Sequence, residues 1–219
     1  GGKIFVVTNG VDTSRFAPRE KDPELVAKLG LQGKCVAGYI GTHGMAHALE
    51  TILDAAGKIR TETGGDRFRF LFLGDGSNKA ALVARAAEDG LDNVIFVDTV
   101  PKDEVVRYWS LLDTSIVHLR RSPLFETVIP SKLFECMGMG IPVLHGVRGE
   151  SAMIALQEQV GLTFEPENAD DLCRVLKCLV SEPGALQGFR DNGPVAAARY
   201  DRRTLASDML GILQKVATQ

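Results

Sequence analysis

Apolar residues come along this chain in short dense runs. Each run is followed by a polar loop, several of them glycine-containing, and then by a longer stretch with apolar positions three and four apart. The first run, Ile4 to Val7, predicts a short strand, and Thr8-Asn9-Gly10-Val11-Asp12 predicts a turn, since Asn-Gly accepts positive φ. Pro18 to Pro23 is polar and irregular, and reads as a linker or a surface loop. A short helix from Pro23 to Leu29 ends at Gly30. From residue 35 the pattern becomes regular. Strands are predicted at Cys35–Ile40, Phe68–Leu73, Val94–Val97, Ser115–Leu119, Val143–His145 and Leu162–Phe164. Between them run helical faces made by Leu49, Ile52, Leu53, Ala56 and Ile59, then by Leu82, Val83, Ala86 and Ala87, then by Val105, Val106, Trp109 and Leu112. Further helices are predicted from about Glu150 to Glu158, from Ala169 to Val180 and from Thr204 to Val216.

The stretch that organises the rest is Pro130 to Leu144. Pro130 fixes φ at the end of a loop. Ser131 is the expected N-cap, and Leu133, Phe134 and Met137 form one apolar stripe. Gly138 and Gly140 are expected to stop the helix, because glycine enters left-handed geometry cheaply. Ile141-Pro142-Val143-Leu144 then enters a buried strand. The unit of strand, glycine loop and helix, repeated five times, predicts an α/β, Rossmann-like fold: a parallel sheet with helices on both faces. Near-continuous apolar strands agree with a sheet covered on both sides. Ligands in such sheets bind at the carboxyl ends of the strands, so the loops to watch are 41–47, 74–78, 98–101, 120–132 and 145–150.

Composition narrows the classes. The net charge of −3 gives no global basic field for nucleic acid, and no basic run is interleaved with aromatics. Cys35, Cys136, Cys173 and Cys178 form no C-x-x-C pair, which reads as buried free thiols in a reducing compartment. No apolar run approaches the ~18 residues of a membrane span. Gly1-Gly2-Lys3 leads directly into an apolar run without a signal-peptide pattern, and a start of this kind reads as a piece of a longer protein.

The glycine loops carry the candidate chemistry. Gly41-x-x-Gly44 follows the first strand and reads either as a tight turn or as a close backbone approach to phosphate. It is not G-x-G-x-x-G, and the chain has no G-x-x-x-x-G-K-[ST], so neither the dinucleotide nor the NTPase fingerprint is present. Thr42, His43 and His47 share this loop, and two histidines there could donate to a phosphate or serve structure alone. Gly74-Asp75-Gly76-Ser77-Asn78-Lys79 repeats the theme, with Ser77 or Asn78 as a cap. Lys132 sits in the first turn of its helix, where the dipole and free N–H groups attract anions, and Glu135 lies one turn on. A cation with a nearby carboxylate suits a ligand bearing phosphates and hydroxyls; an ordinary solvated helix face is the competing reading. Arg120 and Arg121 offer a second source of positive charge, again against a solvated loop. There is no D-x-D pair for a metal–diphosphate complex, no G-x-S-x-G and no H-E-x-x-H.

Taken together, Asn9-Gly10-Val11-Asp12 with Phe16-x-Pro18, Gly74-Asp75-Gly76, Pro130-Ser131-Lys132-x-x-Glu135 and Gly140-Ile141-Pro142-Val143 resemble the carboxyl-terminal domain of glycosyltransferase family 4. These are retaining enzymes of the GT-B fold, and the P-S-K-x-x-E form resembles the branch that builds bacterial surface polysaccharides. The resemblance implies an interdomain strand, turn and linker over 1–34, a Rossmann-like nucleotide-sugar-binding domain over 35–200, and a last helix over 201–219 that packs on an amino-terminal acceptor domain. Through Leu205, Met209, Ile212 and Val216, that helix would be partly exposed here. Glu135 resembles the second glutamate of the family's E-x7-E motif, which holds the donor ribose. The first glutamate falls at Thr127, a departure that leaves Glu126 or the amides of Val128 to Ser131 as substitutes. Thr42 and His47 stand where the family often has an Arg and a Lys for the pyrophosphate. The loop from Asp98 to Val100 resembles the place where the base lies. The implied donor site is therefore Gly41, Thr42, His43, Gly44, Gly74, Asp75, Val100, Thr127, Ser131, Lys132 and Glu135, with a nucleotide-sugar, UDP-linked in the first instance, as substrate and no metal expected. A cytoplasmic location is implied, at the inner face of the membrane if the acceptor is lipid-linked. Two other classes remain: a nucleotide-binding or receiver-like α/β module, and a GT-B relative that epimerises nucleotide sugars.

Overall fold

The structure, a computed structural model, describes residues 4–217. In chain order its elements are α1 (Pro23–Lys28), β1 (Cys35–Ile40), α2 (Glu50–Thr61), β2 (Phe68–Leu73), α3 (Lys79–Glu88), β3 (Val94–Val97), α4 (Val105–Trp109), β4 (Thr114–His118), α5 (Ser131–Met139), β5 (Val143–Gly146), α6 (Glu150–Gln157), β6 (Gly161–Thr163), α7 (Ala169–Ser181), α8 (Pro183–Arg199) and α9 (Arg202–Ala217). All strand pairs are parallel, in the order β3-β2-β1-β4-β5-β6. This is the doubly wound order, whose direction of growth reverses between β1 and β4.

Alternation along the strands splits the interior into two cores. Val36 and Ile40 of β1, with Leu71 and Leu73 of β2, join Trp109, Leu133, Phe134 and Met137 on one face. Ala37 and Tyr39, with Phe70 and Phe72, join Leu49, Ile52, Leu82 and Leu176 on the other. A period of two sends successive side chains to opposite faces, so strands buried on both sides are apolar throughout.

Several local expectations are corrected. Ile4 to Val7 forms no strand, and Ile4 is 88% exposed; the first pairing of the chain is the bridge between Val11 and Asp201. Pro130, not Ser131, occupies the N-cap of α5, and Ser131 is the first helical residue, so its hydroxyl lies beyond the capping position. Gly138 lies inside α5, whose left-handed C-cap is Gly140 (φ 64°). A Cβ on Gly138 would sit 2.6 Å from the Phe16 carbonyl oxygen, so that glycine serves the close approach of α5 to the leading segment. Helix α8 has no counterpart in the sequence reading, because Gly184, Gly188, Gly193 and Pro194 look like breakers. These small residues let α8 settle on α5: a Cβ on Gly193 would lie 2.8 Å from the Met137 carbonyl. Along α9, Met209, Leu210, Leu213 and Val216 are each more than half exposed. No helix among the described residues is long and apolar enough to cross a membrane.

Candidate functional site

A cleft of about 570 Å³ opens at the carboxyl ends of β1 and β4, the point where the strand order reverses. Ile40, Gly41 and Thr42 line it from β1, and Leu119 from just past β4. Pro130, Ser131, Lys132 and Glu135 bring the start of α5 to the same space. With Pro130 held at φ −64°, the chain enters the helix in extended geometry; the Leu133 N–H donates to the Pro130 carbonyl at 3.0 Å, and the amides of Ser131 and Lys132 before it have no preceding turn to donate to. Such a helix mouth favours anions.

Lys132 is the central cation. Its Nζ lies 3.8 Å from the centroid of the Tyr39 ring, and among the described residues it makes no hydrogen bond or ion pair. Burial pulls its pKa down to about 8, opposed by the charge of Glu135. Glu135 is likewise without a hydrogen bond or ion pair among the described residues. Burial raises its pKa, against the pull of Lys132, Arg202 and Arg15. Both groups are thus partly desolvated and short of partners, which is costly for the free protein and useful to a ligand that supplies them.

The two glycine loops are laced to each other. The Gly41 N–H donates to the Leu73 carbonyl (2.9 Å), the His43 N–H to the Asp75 carbonyl (2.8 Å), and the Asn78 N–H to the His43 carbonyl (2.9 Å). A Cβ on Gly74 would lie 2.0 Å from the Gly41 carbonyl oxygen. Gly74 therefore allows one loop to close on the other. This lacing buries His43 completely between Tyr39 and Phe72, with neither ring nitrogen bonded. Burial holds His43 near pKa 4, hence neutral. His47 does line the cleft, and burial keeps it near 4 as well.

Of the residues singled out from sequence, Gly41, Thr42, Ser131, Lys132 and Glu135 share the cleft. His43, Gly44, Gly74 and Asp75 do not line it. Asp75 is exposed and turns its carboxylate back on the Gly76 N–H. Val100 packs partly buried against the core, and Thr127 is exposed at the end of a short 3₁₀ turn, where its hydroxyl donates to the Leu124 carbonyl. Arg120 donates to the Met45 carbonyl and Arg121 pairs with Glu165, both away from the cleft. The cleft instead takes Arg15, Lys102 and Arg202, which sequence reasoning missed. Arg202 is anchored through Nε to the Gly10 carbonyl at 3.1 Å. Among the described residues no cluster of His, Cys, Asp and Glu is arranged to hold a metal ion.

Residues 34–182 match the family described as Glycosyl transferases group 1. The chain is 30% identical over 219 residues to a 2-deoxystreptamine glucosyltransferase of Streptomyces kanamyceticus, covering 95% of this chain and 51% of that protein. It is 26% identical to a D-inositol 3-phosphate glycosyltransferase of Rhodococcus jostii, covering 95% and 46%. The chain thus spans about half the length of these curated relatives. Its fold matches that of Anabaena Alr3699/HepE, determined with UDP-glucose, at a TM-score of 0.80 and 17% identity, covering 96% of this chain and 57% of that one. It also matches the C-terminal domain of the glycosyl transferase group 1 protein LpcC from Francisella tularensis, at 0.70 and 20% identity, covering 86% and 97%.

Proposed function

The chain belongs to the glycosyl transferases group 1 family, and from that premise we propose that it is the donor-binding half of a retaining glycosyltransferase of family 4. The donor is a nucleoside diphosphate sugar, with UDP as the first base to test. The observation that carries the reading is the pair Lys132 and Glu135, unpartnered on one helix mouth at the switch point of the sheet. Lys132 and the first-turn amides of α5 receive the diphosphate. Glu135 accepts from the vicinal hydroxyls of the ribose, a contact that a carboxylate suits because it accepts from both. As the bond from the anomeric carbon to the diphosphate breaks, the electron pair goes to the leaving oxygens. The helix mouth and Lys132 stabilise that charge without a metal. The acceptor hydroxyl oxygen then bonds to the anomeric carbon on the same face, and its proton passes to the departing diphosphate oxygen. No side chain of this chain is assigned as a nucleophile.

The acceptor is a glycan or a lipid-linked glycan of the cell surface, a reading supported by the P-S-K-x-x-E form of the motif. It sits on an amino-terminal domain, so this chain by itself binds donor weakly and transfers nothing. The HepE complex supports UDP as the base. The test is calorimetry of this chain against UDP, GDP and ADP in EDTA, beside Glu135→Ala. One diphosphate should bind, and the variant should lose on the order of 1.5–3 kcal/mol of that affinity. Equal binding by wild type and variant would refute the assignment of Glu135. Conversion of a nucleotide sugar to its epimer would favour the epimerase class instead.

A further inference from the structure

A buried or half-buried lysine is ordinarily held by a carboxylate or a ring of carbonyls. Lys132 has neither, and its neighbour is the face of Tyr39, 3.8 Å from ring centroid to Nζ. We propose that Tyr39 is a positioning residue for Lys132: its ring presents the ammonium to the diphosphate of the ligand while leaving all of its N–H donors free. The inference rests on the nucleotide-sugar reading above and goes beyond it in naming what aims the cation.

The chemistry explains the choice of partner. A carboxylate in that position would cancel the charge that the ligand needs, and a carbonyl would take up one of the three ammonium donors. An aromatic face attracts the cation through its quadrupole and does neither. The ring is itself fixed. Tyr39 is 1% exposed, and its hydroxyl donates to the Thr42 carbonyl at 2.9 Å. Phe72, His43 and His47 surround it, with ring centroids at 6.5, 5.9 and 5.7 Å. Both histidines are held neutral by burial, so neither repels the ammonium. Beside the ammonium, on the side of the Tyr39 hydroxyl, is Gly41, where an added Cβ would stand 2.8 Å from Nζ, 3.1 Å from Cε and 3.9 Å from that hydroxyl. The missing Cβ of Gly41 therefore leaves room for Lys132 to pass and to rest over the ring, and Glu135, a turn further on, is the carboxylate that acts on its charge.

The experiment is calorimetry of this chain with UDP and with uridine at pH 7, the ratio of the two affinities reading the diphosphate contribution. Tyr39→Phe should keep that ratio within about twofold, because the ring face remains. Tyr39→Leu should lower it by about 5- to 30-fold, by loss of binding to UDP and not to uridine. In a Lys132→Met background, Tyr39→Leu should change nothing further. Because a buried residue is being cut back, fluorinated phenylalanines at position 39 provide a second series of nearly constant shape; the ratio should fall stepwise with fluorination. Equal losses for UDP and uridine, or a Tyr39→Leu effect that persists without Lys132, would show a purely structural role and overturn the proposal. A ratio indifferent to fluorination would do the same. If wild type binds UDP no better than uridine, the nucleotide-sugar reading falls and this inference with it. A normal wild-type ratio unmoved by Tyr39→Leu removes only the role of Tyr39.

Discussion

Thr13 reaches across 188 positions of sequence to Asp201: its hydroxyl donates to Oδ2 at 2.5 Å and its amide N–H to the same oxygen at 3.1 Å. The other carboxylate oxygen accepts from the Arg203 N–H at 2.8 Å and so caps the first turn of α9. Beside them, the Val11 N–H donates to the Tyr200 carbonyl and the Arg202 N–H to the Val11 carbonyl, both at 2.9 Å. This knot brings Arg15 and Arg202, from opposite ends of the chain, to one wall of the cleft.

The knot depends on the ionised form of Asp201. The Thr13 hydroxyl bond, followed by the Arg203 and Thr13 amides, holds its pKa down at about 2, against an ordinary 3.8. A depressed carboxylate contributes stability that is complete above the unfolded value and is lost as pH falls through the folded one. The melting temperature should therefore fall between about pH 4 and pH 2, and Asp201→Asn should melt lower than wild type at pH 7. The gap between the two should close across that acid window. A gap that stayed constant from pH 7 to pH 2 would exclude this role for the carboxylate.

How much of this was legible follows from how local each feature is. The sheet could be read because β1, β2, β4 and β5 are buried along almost their whole length, and β1, β2 and β5 run into glycines. Lys132 and Glu135 could be placed together because they share one nine-residue helix. Arg15 and Arg202 could not, since they are united through long-range bonds, those of Thr13 to Asp201, of Val11 to Tyr200 and of Arg202 to Val11 and Gly10. His43 sits in the expected loop, but the bonds from His43 to Asp75 and from Asn78 to His43 draw it inward. Helix α8 was hidden by its own composition: Gly193 and Pro194 discourage a helix locally, and close packing on α5 overrides that preference.

Lys132 should show a conflict between stability and binding. Its folded pKa, near 8, is below the ordinary 10.5 because burial disfavours the charge. The folded state then holds fewer protons than the unfolded chain between those values, so its penalty is full below about pH 8 and is relieved as pH rises toward 10.5. At pH 7, Lys132→Met should raise stability by about 1–3 kcal/mol. The same variant should weaken UDP binding at least tenfold, and wild-type binding should weaken above about pH 8, as the ammonium loses its proton. Urea unfolding and calorimetry on one preparation read both effects. A variant less stable than wild type would mean that the lysine is not desolvated in the way described.

Gly138 sets two effects against each other. In a helix interior, alanine ordinarily gains about 1 kcal/mol over glycine. Here the new methyl would stand 2.6 Å from the Phe16 carbonyl oxygen and 3.1 Å from the Phe16 Cβ, and the first of these is backbone that cannot swing aside. Overpacking of this kind costs about 1–3 kcal/mol, so Gly138→Ala should destabilise in chemical denaturation despite its better helix propensity. A gain in stability would show that the leading segment sits more loosely on α5 than this contact requires.

His43 can be tested through its protonation. It is fully buried, both ring nitrogens lack partners, and burial with the neighbouring charges of Lys79 and Lys132 lowers its pKa to about 4. The unfolded chain takes up a proton near pH 6.5 and the folded one does not until about pH 4, so stability must fall as pH drops through that interval. The expected loss from this one residue is on the order of 1–3 kcal/mol at pH 4. His43→Leu removes two unsatisfied nitrogens and fills a similar space, so at pH 7 it should be neutral or stabilising. It should flatten the fall between pH 6.5 and pH 4, leaving the part due to His47 and His145, whose values burial also lowers to about 4 and about 3, and to His118, which burial lowers as well. UDP affinity should stay within about twofold of wild type, since a nitrogen sealed under the glycine loops has no route to a phosphate. A tenfold loss of affinity with an unchanged melting curve would instead place His43 in the donor site and require the loops to open on binding.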